Sequence, residues 1–148
     1  MVEFLVGGSV LLLLVMGIMQ LSLVWAGQSA VETAAHFAAR KFAIHARADL
    51  RKARQAALAE ATSLCLHRPG GKWGTAQLTS VDFTRQAREP SSLAARTGDS
   101  YRVSLTHWLE LCVPWVNKIL FAIAPAKKAR IQERYFLLLQ SSRWVTVE

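Results

Sequence analysis

Phe4-Leu-Val-Gly-Gly-Ser-Val-Leu-Leu-Leu-Leu-Val-Met-Gly-Ile-Met-Gln-Leu-Ser-Leu-Val-Trp-Ala26 contains no charged residue, and only Ser9, Gln20 and Ser22 in it are clearly polar. At about 1.5 Å of rise per residue the run is roughly 35 Å long as a helix, enough to cross a hydrocarbon core of about 30 Å. Soluble domains rarely hold so long an unbroken apolar run, so it reads as a membrane-spanning helix. Trp25, near its end, suits the membrane–water interface. The run is too long for the apolar part of an ordinary secretory signal, and no basic residue precedes it.

Upstream stands Glu3. An acidic side chain in a first helical turn is favoured by the exposed N–H groups and the helix dipole, and it can lie among lipid headgroups. With Gly7, Gly8 and Ser9 just inside, it also suits a helix that leaves the bilayer and packs against copies of itself. The carboxylate would then need a cation, and another subunit's terminal amine is the nearest source.

Downstream the helical pattern continues. Val31, Ala34, Ala35, Ala38, Phe42, Ala46, Leu50, Ala53, Ala57, Ala61 and Leu64 recur every three or four residues, opposite Arg40, Lys41, Arg47, Arg51, Lys52, Arg54 and Glu60. Ala26, Ala30, Ala34 and Ala38 form a row of small side chains that lets another helix approach closely. Pro69-Gly70-Gly71 ends the pattern.

The remaining residues, about eighty, make one small domain. Thr75 to Phe83 reads as a loosely alternating strand, and loops fall at Glu89 and at Thr97-Gly-Asp-Ser100. Tyr101, Val103, Leu105, His107, Leu109 and Leu111 share one face of the cleanest strand. Pro114 starts a short helix through Ala124, Ala126 to Arg130 is a basic, solvated connection, and Tyr135 to Val147 is a final strand. The predicted class is α+β, a long N-terminal helix followed by about three strands and one short helix. The predicted divisions are 1–27 (membrane or filament-core helix), 28–67 (amphipathic extension) and 68–148 (a small disulfide-linked domain).

The 148 residues carry a net charge of +8 and are 52% hydrophobic. Such a basic chain is compatible with nucleic acid, anionic lipid or other polyanions without choosing among them. Cys65 and Cys112 are expected to pair as a disulfide, since so small a core benefits from a staple. The alternatives are free thiols, or a zinc site with His67 and His107. Spacing disfavours zinc, because residues five apart on a strand point to opposite faces. The chain lacks a Walker loop, G-x-S-x-G, H-E-x-x-H and any C-x-x-C pair. Its acidic residues Glu3, Glu32, Asp49 and Glu60 are dispersed along one rod, so no enzyme, catalytic residue, metal or cofactor is predicted. Trp73, Trp108, Trp115 and Trp144 lie near cations in sequence, as in binders of single-stranded nucleic acid. They are expected instead to fill the small core.

Met1-Val-Glu-Phe-Leu-Val-Gly-Gly8, Gly17-Ile-Met-Gln20, Val24-Trp-Ala-Gly-Gln-Ser-Ala30 and Ala34-Ala-His-Phe-Ala-Ala-Arg40 together resemble the start of TadE-like pilins. These are pseudopilins of tight-adherence pilus systems, related to type IV pilins. The resemblance covers about the first 45 residues. It implies a structural subunit that sits in the bacterial inner membrane by one span, with a periplasmic C-terminal domain, and then joins an extracellular pilus. Implied partners are other pilin subunits, a prepilin peptidase and an inner-membrane assembly platform, with Glu3 and Phe4 at the assembly end. The family carries a short basic leader cut after Gly. Glu3 stands closer to the first residue than that pattern has it, as when Met1 is internal to a longer reading frame.

Two other readings compete. The six Lys or Arg from Arg40 to Arg54, with none before the apolar run, would place the domain in the cytoplasm by the positive-inside rule. The chain would then be a single-pass membrane protein that never polymerises. A filament subunit that also binds DNA or another polyanion is the third.

Overall fold

The computed structural model describes residues 2–65, 76–86, 95, 97–131 and 133–147. The helix stop at Pro69, the loop at Glu89, and His67 and Trp73 lie outside the described residues. Helix α1 (Val2–Ala46) runs 45 residues, about 68 Å at the standard rise. Among the described residues it is the one helix long and apolar enough to cross a bilayer. Its first part is apolar on all sides and exposed from Val10 through Leu14, as expected of a helix whose solvent is lipid or other helices.

The sequence pattern predicts continuous helix to Leu64, but the structure interrupts it at residues 47–49. The reason is Asp49, whose Oδ1 accepts the backbone N–H of Arg51 at 2.8 Å and that of Lys52 at 3.4 Å. An aspartate in extended backbone that caps orphan N–H groups starts a new helix better than it continues an old one. Helix α2 (Leu50–Leu64) follows, burying Ala53, Ala57 and Ala61 along one stripe.

Four strands form one antiparallel sheet, β1 (Thr79–Arg85), β2 (Ser100–Glu110), β3 (Lys128–Ile131) and β4 (Arg134–Thr146), in the order β1-β2-β4-β3. The short helix α3 (Val116–Ile123) lies between β2 and β3 in sequence. The α+β class is as the sequence predicts, with two differences. The first strand begins at Thr79, residues 76–78 being helical, and pairs from Thr79↔His107 to Arg85↔Tyr101. The basic connection contains a strand: β3 pairs Lys128↔Leu137 through Ile131↔Arg134 in a tight hairpin, and Glu133 takes a positive φ of 66°. No glycine marks that turn, which hides it in the sequence.

The chain divides into two compact units. One joins Met1–Gly27 to Trp108–Leu138, and the other joins Gln28–His107 to Leu139–Glu148.

The second unit holds most of the core. Phe42 of α1 is fully buried, stacked on Phe83 with ring centroids 4.6 Å apart and edge-on to Tyr101 at 5.0 Å. Burying such a ring contributes roughly 1.5–3 kcal/mol, and aromatic pairing adds about 0.5–1.5 kcal/mol. Val31, Ala34, Ala38, Val103 and Leu105 are buried without exposure. The face of β2 from Tyr101 to Leu109 alternates as predicted, with odd positions buried. Arg85 pairs with Asp99 at 2.7 Å.

In the first unit the Leu111 N–H donates to the Tyr135 carbonyl at 2.8 Å, and Phe121 packs on Tyr135 at 4.9 Å. Gln20, the polar residue deepest in the apolar run, is fully buried, and its Oε1 accepts the Val113 N–H.

Candidate functional site

The apolar start of α1 is the part of the molecule whose chemistry most needs an explanation. Phe4 is 85% exposed and Trp25 is 79% exposed, with large aliphatic side chains open between them. In water each open methylene costs about 0.8 kcal/mol relative to burial. This surface therefore belongs in a bilayer or against other protein, and its length agrees with one membrane crossing. Glu3 lies in the first turn and is exposed, where the unsatisfied N–H groups favour a carboxylate. Ser22 Oγ donates back to the Ile18 carbonyl at 2.9 Å, so its hydroxyl is satisfied without water, as a span requires.

An open groove of about 510 Å³ runs along this part of the helix. Its lining includes Phe4, Gly8, Leu12 and Met16 from α1, with Trp115 and Val116 beside α3. Gly8 faces open space, with no atom within 4 Å of an added Cβ.

The predicted small-residue row divides. Ala34 and Ala38 are fully buried within the chain itself, Ala30 is half-buried and Ala26 is exposed. Periodicity alone could not show this, because a stripe that packs on its own domain has the same spacing as one that packs on a neighbour.

The disulfide expected between Cys65 and Cys112 is not formed. Cys65 closes α2, its N–H on the Ala61 carbonyl at 3.1 Å, and its side chain is buried. Burial pushes its thiol up to about 11. Cys112 follows β2 on the outward alternation, its side chain exposed and its Sγ directed to the Glu110 carbonyl at 3.7 Å. One sulfur is turned into a core and the other to solvent.

The tryptophans correct a second expectation. Trp115 and Trp144 are exposed and Trp108 is half-buried, so among the described residues the core is made chiefly of Ala, Val, Leu, Phe and Tyr. Trp108 and Trp144 fall on the open face of β2 and β4 by simple alternation. Arg102 lies over Trp144 at 6.0 Å and is steadied by Ser142 Oγ at 3.1 Å. His107 is buried with Nδ1 2.8 Å from Thr79 Oγ1, a packed histidine. Among the described residues no group of three or more His, Cys, Asp or Glu is placed to hold a metal ion.

A single apolar helix followed by a small α+β fold defines the class of the molecule as a membrane-anchored chain. Residues 1–40 match the family model described as TadE-like protein, in agreement with the resemblance carried by Glu3, the apolar run and the Ala-rich extension. No curated protein matches the chain, and no solved structure does.

Proposed function

We propose that the chain is a structural pilin-like subunit, a pseudopilin or minor pilin, of a tight-adherence pilus or a related assembly. The observation that carries this is the exposed apolar stretch of α1 behind Glu3, in the same forty residues that match the TadE-like model. Such a helix is held by lipid before assembly and by neighbouring helices afterwards. Glu3 and Phe4 lead it, and Ala26 and Ala30 remain open for close helix approach. The partners are other subunits, a prepilin peptidase and an inner-membrane assembly platform. The small domain is periplasmic and then extracellular. The work is done by packing, with no catalytic step and no cofactor.

The test is Glu3→Ala. The variant should reach the membrane at the normal level yet be recovered poorly in sheared filaments or pilus complexes. A partner's amine left in low dielectric without its counter-charge costs several kcal/mol. Normal incorporation at equal membrane level would refute the role of Glu3.

One observation favours a second reading, a bitopic protein with a cytoplasmic domain: the six cations from Arg40 to Arg54. The first of them lies about fourteen residues beyond the apolar run, where the positive-inside rule loses force. A phosphatase reporter fused after Glu148 is active only in the periplasm and decides between the two.

A further inference from the structure

The stretch from Pro114 to Ile131 is as unusual as the apolar helix itself. It carries four cations, Lys118, Lys127, Lys128 and Arg130, and no Asp or Glu. Four of its large apolar side chains are open: Trp115 is 78% exposed, Ile119 45%, Ile123 73% and Ile131 54%. Ile119 and Ile123, four apart, form one apolar stripe along α3, and Trp115 stands just before its first turn in non-helical backbone. We propose that α3 is a second membrane contact, inserting this stripe into the acyl boundary of an anionic bilayer beside the apolar part of α1, with Lys127 and Arg130 among the headgroups. The proposal rests on the membrane anchoring of α1 in the reading above, and not on which side of the bilayer holds the small domain.

Three observations carry it. The first is continuity. Trp115 and Val116 line the same groove as Phe4, Gly8 and Leu12 of α1, so an environment that covers one wall covers the other. The second is charge. An apolar stripe flanked by cations without acids matches anionic lipid and is the pattern of helices that lie in the interface. Lys118, between the apolar positions, has a stem long enough to bring its ammonium to the headgroups.

The third is the state of the backbone. Non-helical backbone enters a membrane only where its polar groups are met from within the protein. Here Gln20, inside the apolar run, accepts the Val113 N–H at 2.8 Å. The Asn117 N–H donates to the Val113 carbonyl at 3.0 Å, and the Lys118 N–H to Asn117 Oδ1 at 2.8 Å. At the other end Lys128 Nζ reaches the carbonyls of Phe121, Ala122 and Ala124 at 2.6, 3.2 and 3.3 Å. Backbone groups at both ends of α3 are met by the chain, while Ile119 and Ile123 stay open.

The experiment uses the full chain reconstituted in phosphatidylcholine vesicles containing phosphatidylglycerol, with or without brominated acyl chains. A variant keeping only Trp115 (Trp25, Trp73, Trp108 and Trp144 each changed to Phe) reports on α3, and one keeping only Trp25 reports on α1. Trp115 should lose most of its emission to the brominated lipid and little to aqueous iodide. Quenching of Trp115 by iodide alone, with Trp25 quenched by lipid, overturns the proposal and leaves the anchoring intact. If neither is quenched by lipid, the anchoring fails and the proposal with it. Shielding of Trp115 from both quenchers, together with disulfide crosslinking of Ile119→Cys between copies, would assign the stripe to a second copy and overturn the lipid assignment. Ile123→Cys on a Cys112→Ser background, labelled with a polarity-sensitive dye and keeping all the tryptophans, repeats the measurement with little change to the fold. A blue-shifted dye that nitroxide lipids quench supports the proposal, and a water-like spectrum opposes it.

Discussion

The Oε1 of Gln20 accepts the backbone N–H of Val113 at 2.8 Å, across 93 positions of sequence. The Nε2 of the same buried side chain has no hydrogen-bond partner among the described residues. The two halves of this amide therefore pull in opposite directions. The carbonyl meets a backbone group, and the NH2 carries an uncompensated desolvation cost.

Replacing Gln20 by Leu removes both. It leaves the Val113 N–H without its acceptor, at a cost of about 1–3 kcal/mol, and relieves part of that by deleting the orphan NH2. The expected result is a net loss below the full figure and much faster amide exchange at Val113. Hydrogen exchange in detergent micelles measures it. An unchanged rate at Val113 would mean that the bond is not formed in solution.

Phe42 makes the sharpest stability prediction. It is enclosed between Phe83 and Tyr101, so Phe42→Ala leaves a ring-sized cavity and should cost about 3–5 kcal/mol. Small domains hold a net stability of about 5–15 kcal/mol, so a loss of that size is a large share of it. The variant should accumulate poorly and lose its denaturation midpoint. Phe42→Leu should recover much of the loss. Equal loss in both would point to the aromatic pairing rather than to volume.

Much of this architecture is legible in the sequence because its signals are periodic. The apolar run announces a span, and the alternation from Tyr101 to Leu111 announces β2 with the correct face inward. What escapes is local chemistry without a period. Asp49 breaks the helix by a side-chain hydrogen bond that looks like any surface carboxylate in sequence. The β3–β4 hairpin turns at Glu133 rather than at a glycine. The thiols illustrate a different limit: composition argued for a bridge, but only geometry could tell that Cys65 turns inward and Cys112 outward. Nothing in the sequence joined Gln20 to Val113, since pairing over such a separation is decided by tertiary packing alone.

The cysteines should react very differently. Cys112 is exposed and should be alkylated quickly at neutral pH. Cys65 is buried, with its thiol raised from 9.0 to about 11, and should react only when α2 opens. The raised value favours the neutral thiol in the folded state. Its contribution is therefore complete below about pH 9 and is lost as pH climbs through 11. Cys65→Ser should flatten that alkaline loss, while Cys112→Ser should leave it unchanged. Mass-resolved alkylation of the native and the denatured chain checks the first part, and denaturation midpoints between pH 8 and 11 check the second.

The alanine row separates folding from assembly. Ala34 is fully buried inside the chain, whereas Ala26, eight residues earlier on the same helix, is exposed. A leucine at 34 has no room and should cost about 1–3 kcal/mol by overpacking, lowering the amount of folded protein before any assembly step. A leucine at 26 extends from an exposed position. It should leave stability unchanged within about 0.5 kcal/mol and act only where a second helix must come close. The prediction is thus a crossed pattern. Ala34→Leu lowers the denaturation midpoint, while Ala26→Leu keeps the midpoint and lowers the yield of subunit crosslinks in isolated filaments. Normal crosslinking of Ala26→Leu would show that the exposed end of the row is not a packing surface, and the contact between subunits would then have to lie nearer Gly7 and Gly8.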